Sequence, residues 1–305
     1  MVSDAMYQLV LVDQIQQPFN RSFYGFVGQC TVAMIVNDMI TLGALPLSVA
    51  MHLAVAESDW FKDETRRQDL VEGWKLACDK AGCVWGGGET PTLKGLVIPG
   101  RSILSGSAMG IITPKERLIK GNIQSGDSIV LLSSSGLHAN GYTLAREIAV
   151  GLPSGYQTLV EQGLSYGEAL LKPTIIYVKF IEECLDRAIN IHYAVNITGH
   201  GWRKLMRAVE PFVYIIDKIP KPQPVFRFIQ EQGPVTDAEM YSNYNMGAGF
   251  AIYVPKEDEA HALEIADGLS YGAMIAGHIE KRGEEKKVII KPKNLEYDGS
   301  SLGIR

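Results

Sequence analysis

Several short runs in this 305-residue chain combine polar side chains with glycines in ways that suit chemistry. Val36-Asn37-Asp38 sets an amide and a carboxylate inside an otherwise apolar helical stretch. Burying them unpaired costs several kcal/mol, so they must face water or hold a partner. A carboxylate with oxygen neighbours suits Mg²⁺. A solvated stripe is the simpler alternative, because Thr31, Asp38 and Thr41 fall near one helical face.

Gly86-Gly87-Gly88-Glu89-Thr90-Pro91 comes after a strand-like segment. Consecutive glycines let backbone N–H groups approach a phosphate, and Glu89 could reach a metal. A plain tight turn explains the same residues. Ser133-Ser134-Ser135-Gly136-Leu137-His138-Ala139-Asn140-Gly141-Tyr142-Thr143 lies between a strand and a helix, where amides and hydroxyls favour anions. Capping by Asn140 or a serine needs fewer donors than this run supplies. Asn196-Ile197-Thr198-Gly199-His200-Gly201-Trp202 is another strand-to-helix turn, in which His200 could equally be a surface loop histidine. Asn243-Tyr244-Asn245-Met246-Gly247-Ala248-Gly249 precedes an apolar strand, where glycines also serve close packing. There is no Walker loop, dinucleotide fingerprint, Ser-His-Asp order or metal-binding His/Cys spacing.

The elements that must position these runs alternate between helical and extended, the mark of an α/β (α+β) protein. The patterns predict helices over 28–42 and 62–81, the latter with Leu70, Trp74 and Leu76 among its apolar positions. Strands are expected over 46–55 and 103–112. The chain turns polar near Thr113-Pro114-Lys115-Glu116-Arg117, which places a domain boundary there and gives domains 1–113 and 114–305. The second half reads as a strand at 128–132, helices at 141–150, 168–187 and 201–208, strands at 212–216 and 247–254, and a helix at 257–268.

Composition narrows the class. The chain is 46% hydrophobic and 21% charged, with net charge −5, which argues against a nucleic-acid surface. Its short basic run, Lys286-Lys287 and Lys291-Lys293, reads as a solvated strand edge. No stretch of about eighteen uninterrupted apolar residues predicts a membrane span. Cys30, Cys78, Cys83 and Cys184 show neither a CxxC pair nor a disulfide framework, and are expected as reduced, mostly buried thiols of a cytoplasmic protein.

Taken in order, the runs resemble the aminoimidazole ribonucleotide (AIR) synthetase family, the phosphoribosylformylglycinamidine cyclo-ligases. Val36-Asn37-Asp38-Met39-Ile40 through Gly43-Ala44-Leu45-Pro46-Leu47 is similar to its Val-Asn-Asp helix and the strand after it. Gly87-Gly88-Glu89-Thr90 matches its Gly-Gly-Glu-Thr loop. Ser134-Ser135-Gly136-Leu137-His138-Ala139-Asn140-Gly141-Tyr142 and Leu171-Lys172-Pro173-Thr174-Ile175-Ile176-Tyr177-Val178 resemble two further motifs. Ile197-Thr198-Gly199-His200-Gly201 and Asn245-Met246-Gly247-Ala248-Gly249 complete a likeness running from about residue 4 to 280.

The resemblance implies an N-terminal ATP-binding and dimerising sheet domain, a C-terminal α/β domain and a homodimer. It also implies ATP with Mg²⁺, a small ribonucleotide substrate of purine biosynthesis, and no nucleic-acid or membrane partner. Carried over residue by residue, it assigns Asp38 and Glu89 to the metal and Asp38, His138 and His200 to catalysis. Nucleotide contacts fall to Asn37, Gly87, Gly88, Glu89, Thr90, Ser135, Asn140 and Gly199. Two departures stand out. Asp4-Ala5-Met6-Tyr7 resembles the residues immediately after the family's Asp-Gly-x-Gly-Thr-Lys loop, so the chain is expected to start just downstream of that loop. Leu9–Asn20 looks like an insertion, and its Asp13-Gln14-Ile15 does not replace the loop. Two alternatives stay open: a protein of the same fold with another ATP-dependent substrate, or a non-catalytic dimeric binding protein.

Overall fold

The structure is a computed structural model that describes residues 5–16 and 19–303. In chain order the elements are α1 (Ala5–Gln16), α2 (Tyr24–Met39), β1 (Leu45–Val55), α3 (Glu64–Lys80), β2 (Val84–Glu89), β3 (Ser102–Ile111) and β4 (Ser128–Ser133). Then come α4 (Tyr142–Gly151), β5 (Leu159–Glu161), β6 (Leu164–Ser165), α5 (Tyr166–Leu170), α6 (Val178–Asp186), β7 (Tyr193–Asn196) and β8 (Val213–Ile216). The chain finishes with α7 (Pro224–Gln232), α8 (Asp237–Asn243), β9 (Ala248–Val254), α9 (Glu259–Gly268), β10 (Ala273–Glu280), β11 (Lys287–Ile290) and β12 (Leu295–Asp298). They form two compact units interleaved in sequence. The first holds the chain up to Asn37, Pro46–Ile111 and Gly136–Val178; the second holds Asp38–Leu45, Ile112–Ser135 and the chain from Lys179 onward.

In the first unit, α2 is a core helix. Val27, Val32 and Val36 are at most 1% exposed. By length and composition the helical stretch Tyr24–Leu42 could cross a membrane, yet over half of it is buried inside the protein. Asp69 of α3 caps α2, its Oδ2 accepting from Gly25 N at 2.9 Å and Ser22 Oγ at 2.5 Å. The two helices cross at Gly25 and Gly73, where a Cβ on Gly73 would overlap the Gly25 backbone. The sheet order is β2-β1-β3, with β1 and β2 parallel and a register shift between Val49 and Met51. On these strands Leu47, Val84, Met109 and Ile111 are exposed.

The second unit is built on a seven-stranded sheet, β12-β11-β8-β10-β4-β9-β7. Its pairings are antiparallel except β11 with β8. Strands β8 and β9 are buried along their whole length, and β4 along all but its last residue, so they read as continuous apolar runs. Tyr253 on β9 packs against Tyr193 and Tyr214 and donates its hydroxyl to Leu205 O at 2.5 Å.

Several expectations change. In the described part of Leu9–Asn20 the chain is helical: α1 runs to Gln16 and buries Leu11, Val12 and Ile15 completely. The predicted helix over 168–187 is two helices, because Pro173 lacks the N–H that a continuous helix needs. The 201–208 helix is a 3₁₀ turn over Gly201–Met206. The basic run is not a strand edge, since Lys287 lies on β11, which has β12 outside it. Leu76 is exposed, whereas Leu70 and Trp74 are core. None of the four cysteines forms a disulfide, and all but Cys83 are buried.

Candidate active site

Successive residues on a helix point about 100° apart, and Asn37 and Asp38 on α2 serve different partners. Asn37 is fully buried. Its Nδ2 donates to Ile175 O at 2.8 Å, and its Oδ1 accepts from Tyr177 N at 2.9 Å. Both ends of the amide are thereby spent on the segment after Pro173, so its geometry holds that backbone in place. Other residues grip the same segment. Gln29 donates to Thr174 O at 2.8 Å, the Thr174 N–H and hydroxyl both reach Cys30 Sγ at 3.3 Å, and His138 Nε2 accepts from Ile175 N at 3.4 Å. Three motifs far apart in sequence thus meet in the first unit.

The loop carrying His138 is tightly wound. His138 and Ala139 have φ of 55° and 54°, a region that costs non-glycine residues strain. Gly141, also left-handed, caps α4 in place of Asn140 or a serine. His138 is 2% exposed, and burial drives its pKa down to about 3. It is a neutral acceptor at neutral pH, and a proton-donating role there does not fit it.

The glycine run is not a loop. Gly86–Glu89 lie within β2. A Cβ on Gly86 would overlap Ser48 Oγ and one on Gly88 would overlap Met51 O, so both glycines answer to pairing with β1. Gly87, at φ 102°, faces open space, where its freedom serves no packing need. Glu89 and Thr90 are exposed at the strand's end.

In the second unit a cleft of about 230 Å³ is lined by Asp38, Thr41, Asn196, Lys204, Arg207 and the β7 residues before Asn196. Thr41 and Asp38 do not form a solvated stripe with Thr31, which is fully buried and donates to Val27 O at 2.9 Å. Instead Asp38 Oδ1 accepts from Asn196 Nδ2 at 2.7 Å. Lys204 is 7% exposed; its ammonium donates to Asn196 O at 3.2 Å and to Thr198 Oγ1. Burial pushes its pKa down to about 8, with Asp38 opposing and Arg207 adding to the shift. Sequence reading missed Lys204: a lysine in a helix-like stretch carries no sign that it will be buried.

The remaining runs meet in this unit as well. Ser134 donates to Asn245 Oδ1 at 2.8 Å, Gly247 N donates to the same oxygen at 3.0 Å, and Trp202 Nε1 donates to Asn245 O at 2.7 Å. Ser135 and Gly199 are half-buried, while His200 is exposed. Among the described residues no three His, Cys, Asp or Glu side chains form a metal cluster. Asp38 and Glu89 fall in different units, each a single carboxylate. Either carboxylate, taken by itself, suits a hard cation such as Mg²⁺, which completes its shell with water and phosphate oxygens.

In each unit, motif residues far apart in sequence are joined by hydrogen bonds, and the two units together are of the AIR synthetase fold type. Family models agree: the AIR synthase related protein N-terminal domain matches residues 2–112 and the C-terminal domain residues 124–290. The chain belongs to the AIR synthase related protein family, a family of enzymes. It is 36% identical over 259 residues to the phosphoribosylformylglycinamidine cyclo-ligase of Methanocaldococcus jannaschii, covering 83% of this chain and 71% of that one. To the cyclo-ligase of Caldicellulosiruptor bescii it is 35% identical over 270 residues, covering 86% and 77%. Among solved structures it is similar to the hydrogenase maturation protein HypE in complex with ATP (TM-score 0.65, 16% identity, 89% of this chain and 78% of that one). It is also similar to the thiamine-monophosphate kinase of Stenotrophomonas maltophilia (TM-score 0.63, 18% identity, 89% and 80%). T. maritima PurL complexed with ATP gives a TM-score of 0.56 at 13% identity, over 95% of this chain and 42% of that one. These likenesses bear on the fold alone.

Proposed function

We propose that the protein closes the imidazole ring of aminoimidazole ribonucleotide from formylglycinamidine ribonucleotide, with ATP. One observation carries the reading: Asn37, Asp38, His138, Ile175, Asn196, Trp202 and Asn245, from the motifs that mark the cyclo-ligase family, bond to residues of other such motifs. A formyl amide oxygen is a poor leaving group. Transfer of the γ-phosphoryl group to it makes it a good one; the amidine nitrogen then attacks the same carbon, the C–O bond breaks, and phosphate leaves. ADP and phosphate are the co-products, and no covalent enzyme intermediate is needed.

The chain's tasks are positioning, charge placement and exclusion of water. We assign Asp38 and Glu89 to Mg²⁺, which would neutralise charge on the ATP phosphates. Gly87, Gly88 and Thr90 offer backbone and hydroxyl groups to the nucleotide, and Ser135, Asn140 and Gly199 are further nucleotide contacts. Asn196 fixes the orientation of the Asp38 carboxylate. Lys204, with its depressed pKa, supplies an ammonium near pH 7 and a free amine above about pH 8. His200 is a substrate contact. His138 and Asn37 position the Thr174–Tyr177 backbone rather than touching the reacting atoms. The exposed apolar face of the three-stranded sheet supports a homodimer.

The test is turnover of formylglycinamidine ribonucleotide with ATP and Mg²⁺, monitored by the appearance of aminoimidazole ribonucleotide. Equal amounts of ADP and ring-closed product are expected. A folded chain that hydrolyses ATP without closing the ring, or binds neither compound, sinks the reading.

A further inference from the structure

Away from the candidate active site, Cys78 and Cys83 meet at the corner between α3 and β2 in the first unit. Helix α3 ends in a Schellman turn. Gly82 is left-handed at φ 66°, Cys83 N donates to Cys78 O at 3.1 Å, and Gly82 N donates to Asp79 O at 3.1 Å. Such a turn sets a residue of the last helical turn against the second residue past the helix end, where an apolar contact is usual. Here cysteine fills both places. Cys83 Sγ donates to Cys78 O at 3.6 Å, so its side chain turns back over the end of α3. Cys78 is 1% exposed and Cys83 half-buried, which leaves one thiol shielded and the other open to solvent. The two thiols hydrogen-bond each other, which holds the Cys83 thiol below its ordinary value and, with burial, raises that of Cys78. Asp79 opposes ionisation of both. Cys30 and Cys184 are buried, and burial pushes the Cys184 thiol up to about 12.

A disulfide needs two backbones close together and side chains that face each other. The Cys83 N–H bond to Cys78 O meets the first need, and the turned-back Cys83 side chain meets the second. We propose that Cys78 and Cys83 are a redox modification site, closing a reversible disulfide across the end of α3 without rearranging the fold. The oxidant is a small disulfide such as glutathione disulfide. The Cys83 thiolate attacks one of its sulfurs and releases one glutathione thiolate. The Cys78 thiol then gives up its proton, its sulfur attacks Cys83, the S–S bond forms, and the second glutathione leaves. Two protein thiols are oxidised, one disulfide is reduced to two thiols, and the two protons pass to the departing thiolates. Because Asp79 opposes the thiolate, the pair answers a sustained oxidant rather than a brief pulse. Cys83 directly precedes β2, whose Gly86 and Gly88 fit against β1 without spare room. The bond therefore ties the end of α3 to a strand already fixed in its sheet. Nothing in this inference rests on the ring-closure reading.

The experiment incubates the folded full chain with glutathione disulfide, blocks free thiols with an alkylating agent, and maps tryptic peptides by mass spectrometry. Trypsin cuts after Lys75, Lys80 and Lys94, so the expected disulfide joins the peptide 76–80 to the peptide 81–94. That joined pair should accumulate while Cys30 and Cys184 stay free, and dithiothreitol should return both thiols. Cys78→Ser should instead trap a mixed disulfide of glutathione on Cys83, and Cys83→Ser should leave Cys78 unmodified. The wild-type map needs no variant, so the test stands even if Cys78→Ser folds poorly. Because the bond joins groups already in contact, the oxidised chain should keep or raise its urea midpoint. The proposal is overturned if both thiols stay free in the folded chain, if glutathione remains on wild-type Cys83 without being displaced, or if the bond recruits Cys30 or Cys184. A lowered urea midpoint on oxidation overturns it too, since the bond would then distort the corner.

Discussion

Asn196 donates its side-chain amide to Asp38 Oδ1 at 2.7 Å across 158 residues of sequence, tying the Val-Asn-Asp motif to the Asn-Ile-Thr-Gly motif inside the second unit. A carboxylate oriented by an amide is a fixed negative charge in a polar cleft, which is what a site that handles a metal–phosphate complex requires. Asp38→Asn keeps an oxygen able to accept from Asn196 but removes the charge. Turnover is expected to fall about a hundredfold or more while the urea midpoint stays near that of the wild type. Retained turnover would remove Asp38 from the machinery.

Lys204 links stability to pH. Its folded pKa of about 8 lies below the ordinary lysine value, so between about pH 8 and 10.5 the unfolded chain holds a proton that the folded chain has lost. Stability therefore rises with pH across that window, and the penalty, about 3 kcal/mol, is fully present below pH 8. Urea unfolding of wild type and Lys204→Met from pH 7 to 10.5 should show the wild type gaining relative to the variant. Parallel curves would contradict the burial of the charge.

His138 acts at the other end of the scale. With a folded pKa of about 3 against an ordinary value of 6.5, it remains neutral in the fold while the unfolded chain takes up a proton as pH falls. Stability is lost between pH 6.5 and 3, by up to about 5 kcal/mol. His138→Gln should flatten that acid limb relative to wild type. The pH profile of turnover should show no limb near 6.5 that His138→Gln abolishes.

Asn37→Ala removes both side-chain bonds to the 175–177 backbone, the one to Ile175 O and the one from Tyr177 N. A loss of about 2–4 kcal/mol is expected, read as a lower urea midpoint. An unshifted midpoint would show that the clamp is not structural.

Val84 and Met109, 65% and 64% exposed on the three-stranded sheet, are the apolar residues we assign to the dimer contact. Met109→Glu should convert a dimer to a monomer in sedimentation, with far-UV circular dichroism unchanged. Sedimentation of the wild type as a monomer would remove that role from the face.

Much of the architecture is legible from periodicity. Helix α2, strand β1 and strand β9 fall within a few residues of their expected spans, because their apolar patterns and flanking Gly43, Pro46 and Pro255 are local signals. What local signals cannot carry is partnership. Asn37 and Asp38 are neighbours in sequence, yet one is spent on holding backbone and the other lines a cleft. That difference is set by residues about 140 to 160 positions away. Gly86 and Gly88 read as a phosphate loop until β1 shows that its own backbone and Ser48 need the room. Lys204 gave no sign at all, since its burial depends on the 3₁₀ turn packing under β7.

The central claim is that ATP phosphorylates the formyl oxygen, and isotope transfer tests it most directly. Formylglycinamidine ribonucleotide labelled with ¹⁸O in the formyl group would be turned over with ATP, and the released phosphate analysed by mass spectrometry. The account predicts one ¹⁸O in each phosphate, with one ADP and one aminoimidazole ribonucleotide per event. Unlabelled phosphate, or ring closure without ADP, would contradict it.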